Sequence, residues 1–476
     1  MDAKSLNAKA LILAAGAGTR MKSEKPKVAH EVLGRPLVRW VVDAAHDAGM
    51  SEVISVLGHM SDKVSPLVEG DTTIVMQTQQ LGTGDAVNAA RDAMTGNDGV
   101  IAPGTLVVLS GDCPLITPET IRALVAKREQ TNAAVVVLTM HMDDPFGYGR
   151  IVREGAGDAV ARIVEQKDAS PEEAAITECN AGFYAFDAPS LFDALSRVSN
   201  DNAQGEYYLT DVLEICRNDG REVLALMTQD AEEAMGVNSR IQLAQATRAM
   251  QRRINERHMA AGVTMWDPAT VWIGPDVTLE NDVELLPNVM LLGATSVGRD
   301  SVIGPNTRLT DTVVGRGCRV DETVAEGAQI DDQATSGPRA YLRTGAHLCE
   351  GAKAGTHVEI KKSTIGAGSK VPHLSYIGDT QMGAGVNIGA GSITCNYDGV
   401  NKNKTVIGDN VFVGSDTMMV APVTIGEGAI IGAASCITHD VAPDALALER
   451  NEQKEIPGWA AKHMAKLKAA KEEKAQ

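Results

Sequence analysis

Aromatic and basic residues are scarce in this sequence, and their scarcity restricts both its core and its partners. Aromatic side chains make up 3% of the 476 residues, so the cores have to consist of aliphatic residues and methionine. The 44 lysines and arginines are outnumbered by 62 acidic residues, which gives a net charge of −18. Nucleic acids and anionic membranes both bind basic surfaces, so this balance argues against either partner. An anionic ligand has to be bound by a few local cations or by backbone N–H groups.

Closely spaced cysteines and long apolar runs are also absent. The seven cysteines are far apart, their number is odd, and none forms a Cys-x-x-Cys pair. This pattern argues against a disulfide scaffold or a zinc site and is typical of unpaired thiols in a reducing compartment. No run of 18 apolar residues is present, so no membrane-spanning segment is predicted. We therefore expect a cytoplasmic protein, and we interpret ALILAA near the start as a first strand rather than a signal core.

The chain is too long for one ordinary domain, and its first part has the pattern of an α/β fold. In residues 1–238, short aliphatic runs such as ALILA (10–14) and TLVVLSGD (105–112) alternate with amphipathic helical stretches. This order predicts βαβ units and a Rossmann-like, mostly parallel sheet. In such sheets ligands bind at the carboxyl ends of the strands.

Residues 239–262 predict a polar-faced linker helix between two domains. A capping box at Ser239 and Gln242 begins the helix, and Gly262 is expected to end it. Its four arginines are more typical of a solvated helix face than of a ligand site. They are Arg248, Arg252, Arg253 and Arg257.

A six-residue repeat dominates residues 263–446. Aliphatic–glycine doublets recur six residues apart, as in Met382-Gly383 and Ile388-Gly389. This period is typical of hexapeptide repeats in a parallel β-helix, where one aliphatic side chain in each repeat points inward. The repeat fails over TCNYDGVNKNK, which we expect to loop out. The tail, residues 447–476, is lysine-rich, and we expect weak order beyond Trp459.

The glycine loop AAGAGTR directly follows the first predicted strand. It lacks the third glycine of a dinucleotide-binding fingerprint and the Gly-Lys-Ser/Thr of a P-loop. Its backbone N–H groups can still bind an anion, with Arg20 and Lys27 adding positive charge, although a structural turn is an equally good interpretation. A second glycine turn follows Gln77, whose amide is available for a base or a sugar. Asp112 ends a strand, where a carboxylate can hold Mg²⁺.

A single histidine, His373 in KVPHLSYIGD, is the most prominent chemical group of the repeat region. A hydrogen-bonded surface histidine is the ordinary interpretation of such a residue. Some hexapeptide β-helices bind zinc through three histidines, two of them about five residues apart. His347, His357 and His373 are ten and sixteen residues apart, which argues against that arrangement.

Several segments of the first part resemble the nucleotidyltransferases that activate sugar 1-phosphates. They are AAGAGTR, QTQQLGTGDAV (77–87), LSGDCPL, GYGRIV (147–152), RIVEQKDA (162–169), ECNAGFY (178–184) and GVNSR (236–240). With the repeats included, residues 9 to about 450 resemble the bacterial bifunctional family that joins an N-acetylglucosamine-1-phosphate uridyltransferase to a glucosamine-1-phosphate N-acetyltransferase. This resemblance implies a left-handed β-helix and a homotrimer. It also implies synthesis of UDP-N-acetylglucosamine for peptidoglycan, lipopolysaccharide and other cell-envelope precursors.

For the first part, the resemblance implies Mg²⁺-dependent transfer of UMP from UTP to N-acetylglucosamine 1-phosphate, with release of pyrophosphate. Asp112 and Asn238 match the family's metal ligands, and Arg20 and Lys27 match residues that neutralise the triphosphate. The other matched residues, for UTP and the sugar, are Leu13, Ala14, Ala15, Gly16, Gln77, Gly82, Thr83, Gly111, Gly149, Glu165 and Asn180. Ser110 stands where many members of the family have an aromatic residue, which leaves the contact at this position open.

For the β-helix, the resemblance implies transfer of the acetyl group of acetyl-CoA to the amine of glucosamine 1-phosphate. His373 matches the general base, because a histidine with a pKa near neutrality can accept the proton of an attacking amine. Glu359 is the expected partner that orients its ring. The residues expected to bind glucosamine 1-phosphate are Arg343, Lys361, Tyr376 and Asn387. Those expected to bind acetyl-CoA are Ala390, Asn396, Tyr397, Ser415, Ala433 and Arg450, and Glu449 replaces the small residue usual before the last of these.

Two other hypotheses remain open from the sequence. A single-activity nucleotidyltransferase could use its β-helix for regulation or oligomerisation, as ADP-glucose-forming relatives do. A non-enzymatic scaffold is the second alternative, but it leaves Asp112, Asn238 and Lys27 without a role. The NYDG insertion and His373 favour the bifunctional enzyme, because a purely structural β-helix needs neither.

Overall fold

The computed structural model describes residues 6–473 except 17, 156 and 203, and it contains two compact units. Unit 1 extends to His258 and includes Trp272–Pro275, and unit 2 comprises Met259–Val271 and the chain from Asp276 onward. Over the described ranges, no helix has both the length and the apolar character needed to cross a membrane.

Unit 1 is built on a nine-stranded, mostly parallel sheet, as the alternating sequence pattern predicts. The strands are β1 Ala8–Ala14, β2 Glu52–Leu57, β3 Thr73–Met76, β4 Thr105–Ser110, β5 Val135–His141, β6 Arg150–Arg153, β7 Val160–Val164, β8 Glu178–Asp187 and β9 Val223–Met227. The order along the sheet is β9-β5-β8-β4-β1-β2-β3, and β6 extends it from β8 with β7 beyond. Only β8 runs antiparallel to both of its neighbours in the main order. A separate ribbon pairs Glu31–Val32 with Arg35–Pro36.

Helices cover both faces of this sheet. They are α1 Leu37–Asp47, α2 Ser61–Val68, α3 Thr83–Asn88, α4 Arg91–Met94, α5 Pro118–Thr131, α6 Pro171–Ala174, α7 Ala188–Leu195 and α8 Asp211–Asn218, with short 3-10 turns at Thr19–Met21, Lys27–Ala29 and Ala231–Ala234. A longer helix, α9 Arg240–Ala260, follows β9 in the chain. Strand β1 shows why both faces are apolar: Ala10 and Ile12 belong to one buried cluster, and Leu11 belongs to the other. Alternate residues of a strand point to opposite faces, so a strand buried on both sides has a continuous aliphatic sequence.

The predicted linker helix is present as α9. Its start has the expected cap, because the Gln242 backbone N–H donates to Ser239 Oγ at 3.2 Å. Gly262, with φ of +98°, follows the helix. The arginines are not all solvated as predicted: Arg253 donates to Asp230 at 2.7 Å and to the Leu115 carbonyl, and Arg252 pairs with Glu232. These contacts anchor the helix to unit 1.

Unit 2 contains a parallel β-helix with three faces, consistent with the left-handed hexapeptide-repeat fold. The first face has strands Thr264–Met265, Glu284–Leu285, Val302–Ile303, Arg319–Val320, Thr335–Ser336, Lys353–Thr356, Lys370–His373, Asn387–Ile388, Phe412–Val413, Ile430–Ile431 and Leu446–Ala447. The second has Met290–Leu292, Arg308–Thr310, Val324–Glu326, Tyr341–Leu342, Glu359–Lys361, Tyr376–Gly378, Ile393–Cys395, Met418–Val420 and Cys436–Ile437, and a short strand, Trp272–Ile273, precedes these in the chain. The third has Thr278–Leu279, Ser296–Val297, Val313–Val314, Gln329–Ile330, His347–Leu348, Thr364–Ile365, Thr380–Met382, Thr405–Ile407 and Val423–Ile425.

Stacked aliphatic residues form the core of the β-helix. On the second face, Leu342 pairs with Ile360 and Ile360 with Ile377, one coil apart, and all three are completely buried. Each coil therefore contributes one aliphatic side chain to a continuous inner row, which is the arrangement that the six-residue period predicts.

Two departures from the regular coil occur near the carboxyl end. Residues 396–404 leave the coil between Ile393–Cys395 and Thr405–Ile407, which confirms the predicted insertion. The tail, for which the sequence predicts weak order beyond Trp459, contains a helix, α10, over Trp459–Glu473. None of the residues of α10 is buried in the described chain.

A matched pair of substitutions tests the inner rows. Ile431 is 1% exposed and its neighbour Ile430 is 48% exposed, so they differ mainly in burial. We expect Ile431→Ala to lower the free energy of unfolding by about 2–5 kcal/mol through the cavity it leaves. Ile430→Ala is expected to change it by less than about 0.5 kcal/mol. Chemical denaturation of the two variants measures the difference, and equal effects would show that this row is not a packed core.

Candidate active sites

A cavity of about 380 Å³ lies at the carboxyl ends of β1 and β4 in unit 1. The two strands pair in parallel, with Leu13 beside Ser110, so the loops that follow them meet at one edge. The predicted residues that line the cavity are Leu13, Ala14, Ala15, Gly16, Lys27, Gln77, Gly82, Thr83 and Asp112. The lining residues that sequence reasoning did not assign to UTP are Val28, Gln80, Ala86, Ser110 and Glu206. Gln80 lies within the quoted motif QTQQLGTGDAV, but this motif contains several glutamines and residue type alone does not indicate which of them lines the cavity.

The second glycine turn closes one side of this cavity. Gly82 has φ of +115°, and a Cβ there would lie 2.6 Å from the Tyr207 carbonyl oxygen, so no larger residue fits. The Gln77 amide donates to Asp85 at 2.7 Å and to the Gly82 carbonyl at 3.3 Å. Gln77 therefore braces the turn, in addition to the ligand-binding role expected from the sequence.

Two basic and two oxygen-bearing side chains converge beside the cavity. The Lys27 ammonium donates to Asp112 Oδ2 at 2.5 Å and to Asn238 Oδ1 at 3.1 Å. Arg20 donates to the same Asn238 oxygen at 2.9 Å. The Lys27 and Asp112 side chains are 15% and 16% exposed, so this ion pair is largely shielded from water.

The start of α9 brings Asn238 to this cluster. The Val237 backbone N–H donates to the Asp112 carbonyl at 2.9 Å, and the Asn238 N–H donates to Gln242 at 2.9 Å. The predicted capping glutamine thus fixes the backbone of a predicted metal ligand. Gly111 lets the backbone approach Leu13 closely: its N–H donates to the Leu13 carbonyl, and a Cβ at this position would lie 3.0 Å from that oxygen.

The three residues predicted to bind the sugar lie side by side. The Asn180 N–H donates to the Gly149 carbonyl at 2.8 Å, and a Cβ on Gly149 would lie 3.6 Å from both Asn180 and Glu165. An irregularity in the pairing of β8 with β5 falls just after Asn180, whose side chain accepts from the Gly182 N–H at 2.9 Å. Burial raises the pKa of the Glu165 carboxyl above its ordinary value, and a hydrogen bond from Thr210 opposes this effect.

In unit 2, the groups expected to bind the sugar phosphate are held by carboxylates. Arg343 donates to Glu359 at 3.0 Å, and this hydrogen bond raises the pKa of the arginine. Lys361 lies 3.3 Å from Asp379, which also accepts from Asn396 at 2.5 Å. Asp379 is the last residue of the quoted motif KVPHLSYIGD, and sequence reasoning missed its role.

Among the described residues, no hydrogen bond joins His373 to its expected partner, Glu359. His373 is exposed at the end of the strand Lys370–His373, where it pairs with Thr356, and Glu359 lies on another face of the β-helix. In the part of the chain that the structure describes, the His373 ring makes no hydrogen bond. The carboxylate of Glu359 accepts from Arg343, so orientation of the ring by Glu359 is not seen.

Four of the residues expected at acetyl-CoA form a row along one corner of the prism. Ala390 accepts from the Asp416 N–H, and Ser415 accepts from the Ala434 N–H, so successive coils stack in register. Arg450 donates to the carbonyl of Ala433 at 3.0 Å, which extends the row.

Asn387, which is expected to bind the sugar, lies on the first face of the β-helix. Its strand pairs with the strand that contains His373.

Tyr397, which is also expected to bind acetyl-CoA, lies in the inserted loop of residues 396–404. Tyr397 is 55% exposed, and the Lys402 ammonium lies over its ring, 3.9 Å from the ring centroid. The Asp398 carboxylate accepts from the backbone N–H groups of Asn401 and Val400, and these hydrogen bonds lower its pKa to about 2. The loop therefore has its own internal hydrogen bonds.

The fold and the two clusters define a class of protein in which an α/β nucleotidyltransferase domain precedes a hexapeptide-repeat transferase domain. Residues 10–214 match the MobA-like NTP transferase domain, and residues 404–439 match the bacterial transferase hexapeptide (six repeats). The chain belongs to the GlmU family. It is 48% identical to the bifunctional protein GlmU of Corynebacterium efficiens, with 97% of this chain and 95% of that protein covered. Bifunctional protein GlmU of Syntrophotalea carbinolica is 50% identical, with 96% and 98% covered.

A solved structure shows a weaker similarity to part of the chain. UDP-glucose pyrophosphorylase in complex with UDP-glucose is 20% identical, with 52% of this chain and 98% of that chain covered and a TM-score of 0.42. Family membership rests on the full-length relatives.

The raised pKa of Glu165 predicts a pH-dependent change in stability. Because burial favours the neutral carboxyl, Glu165 contributes fully to the free energy of unfolding below its ordinary pKa of 4.5. This contribution is lost as the pH rises through the higher pKa that the group has in the folded state. Glu165→Gln keeps a neutral side chain at every pH. We therefore expect the variant to melt at a higher temperature than the parent at pH 7 and at the same temperature below pH 4.5.

Thermal unfolding monitored by circular dichroism at the two pH values measures this effect. The exposed Glu69→Gln substitution in the same unit is the control and is expected to change the melting temperature little at either pH. A Glu165→Gln variant that is less stable than the parent at pH 7 would contradict the prediction.

Proposed function

We propose that the chain makes UDP-N-acetylglucosamine by two reactions, one in each unit. Unit 2 acetylates glucosamine 1-phosphate with acetyl-CoA, and unit 1 then transfers UMP from UTP to N-acetylglucosamine 1-phosphate and releases pyrophosphate. One observation carries the proposal: the similarity to the bifunctional GlmU relatives extends over both units rather than over the first alone. The product supplies peptidoglycan and other cell-envelope precursors.

In the uridylyl transfer, positioning and charge neutralisation are the main tasks of the protein. The phosphate of the sugar is already ionised, so its attack on the α-phosphorus of UTP needs no general base. Lys27 and Arg20 neutralise the triphosphate, and the cavity residues Gln77 and Gly82 hold the uridine side. Gly149, Glu165 and Asn180 bind the sugar.

The donor set of unit 1 fits a magnesium ion. Asp112 and Asn238 present two oxygens to one cation, a position that the Lys27 ammonium takes in this structure. Carboxylate and amide oxygens are the ligands that Mg²⁺ prefers. When bound there, Mg²⁺ would add positive charge beside the phosphates. We propose Asp112 and Asn238 as its protein ligands.

In the acetyl transfer, the amine of glucosamine 1-phosphate attacks the thioester carbon and the CoA thiolate leaves. His373 accepts the proton that the amine loses. Arg343 and Lys361 bind the phosphate, and their carboxylate partners keep them in place. Because Glu359 pairs with Arg343, we assign it to positioning that arginine. Tyr376 and Asn387 complete the sugar site.

The coenzyme lies along the corner row of the β-helix. Ala390, Ser415 and Ala433 bind acetyl-CoA with Arg450, and Asn396 and Tyr397 border the thioester. Exposure of His373 in the single chain is compatible with a site completed by a neighbouring subunit, so the proposal includes a homotrimer. It also places the enzyme in the cytoplasm, since all seven cysteines are unpaired. Neither the relatives nor the site geometry favours a single-activity enzyme with a regulatory β-helix.

Release of thiol from acetyl-CoA is the first test. Glucosamine 1-phosphate should trigger release, and glucosamine 6-phosphate should not. His373→Ala should abolish this activity and keep uridylyl transfer, and Asp112→Asn should do the reverse, because each residue acts in one unit only. Loss of both activities in either folded variant would refute two independent sites.

Asp379 is expected to act as a positioning residue for the sugar phosphate. Asp379→Ala removes the partner of both Lys361 and Asn396, and a lost charge-assisted hydrogen bond weakens binding by about tenfold or more. We expect KM for glucosamine 1-phosphate to rise by this factor while kcat changes less. Uridylyl transfer by the same sample is the internal control. A fall in kcat with unchanged KM would assign Asp379 to another role.

A further inference from the structure

A cluster of three potential metal ligands lies in unit 2 outside both of the sites described above. It consists of Asp331, His347 and Cys349, whose ligand atoms all lie within 4.8 Å of one another. His347 Nε2 is 2.7 Å from Asp331 Oδ2 and 3.9 Å from Cys349 Sγ. None of the three takes part in the proposed transfer reactions.

The β-helix fixes the positions of these side chains. His347 and Cys349 flank Leu348, which is completely buried, so both point outward by the alternation of the strand. Asp331 follows the strand Gln329–Ile330 on the neighbouring coil, and its N–H donates to the Leu348 carbonyl at 2.8 Å. The three ligands therefore come from two hydrogen-bonded coils of a regular scaffold.

The geometry argues against a nucleophilic Cys–His–Asp triad. In a triad, the base contacts the nucleophile through one ring nitrogen and the acid through the other. Here Asp331 and Cys349 both approach the same nitrogen, Nε2 of His347. Convergence of three donors on one point is the arrangement of a metal site.

We propose that Asp331, His347 and Cys349 bind a zinc ion that links two coils of the β-helix. Zinc takes carboxylate, imidazole and thiolate ligands, and a site with three protein ligands keeps a fourth position for water. The carboxylate and the thiolate together balance the charge of the ion. Tetrahedral bonds to these atoms would separate them by about 3.3–3.6 Å, so the side chains need to shift by only about 1 Å.

Gln329 holds the Asp331 carboxylate by a hydrogen bond, as residues just outside a metal's ligands commonly do. The Gln329 side chain donates to Asp331 Oδ1 at 2.8 Å, which leaves Oδ2 facing His347. Such partners orient metal ligands, and their removal weakens metal binding by about 10–100-fold. We expect Gln329→Ala to weaken zinc binding by this factor.

Cobalt titration of the metal-free full-length protein tests the proposal, with Co²⁺ as a coloured probe for zinc. Excess Mg²⁺ in the buffer occupies oxygen-ligand sites such as that of Asp112 and does not compete for thiolate and imidazole. We expect one Co²⁺ per chain with a thiolate-to-metal charge-transfer band and tetrahedral d–d bands. Zn²⁺ should displace the Co²⁺ and raise the melting temperature.

Two ligand variants and one control distinguish this site from adventitious thiol binding. Cys349→Ser should abolish the charge-transfer band, and His347→Gln should lose the tight Co²⁺ site, each with both transferase activities kept. Cys436→Ser removes an exposed thiol elsewhere in the β-helix and should behave like the parent. Absence of the charge-transfer band in the parent protein overturns the proposal without any variant. A band that persists in folded Cys349→Ser overturns it as well.

Discussion

Parallel β-pairing is the constraint on which both units depend, because it determines which residues lie side by side. In unit 1, β1 and β4 run in the same direction with Leu13 beside Ser110, so their following loops share one edge. In unit 2, parallel stacking repeats the same side-chain position once in every coil, which places Arg343 and Glu359 within 3.0 Å. Each site is built from side chains that this pairing brings together.

Both sites of this acidic chain contain a lysine that is paired with an aspartate. Lys27 pairs with Asp112 and Lys361 pairs with Asp379, and all four side chains are between 15% and 17% exposed. A lysine that is largely shielded from water is costly unless it has a partner. The aspartates therefore hold the two lysines in place at the sites. A few local cations can therefore bind an anion despite a net charge of −18.

The features that the sequence predicted correctly are local in the chain. The strands of unit 1, the cap of α9 and the hexapeptide repeat each depend on residues within a few positions of one another. The resemblance supplied most residues around the cavity. Asp379 and the Arg343–Glu359 pair were missed, because contacts between coils depend on coil length. That length is 17 residues from Ile360 to Ile377 but 25 from Thr394 to Met419.

The two units also differ in how far their sites depend on distant parts of the chain. The cluster around Lys27 needs Asp112 and Asn238, which are separated from it by 85 and 211 residues, so the whole unit must fold before it forms. In the β-helix, partners come from adjacent coils, as Lys361 and Asp379 do with a separation of 18 residues. An insertion such as residues 396–404 can therefore add groups to one coil without disturbing the ladder on either side. The second site is modular for this reason, whereas the first depends on the fold of an entire unit.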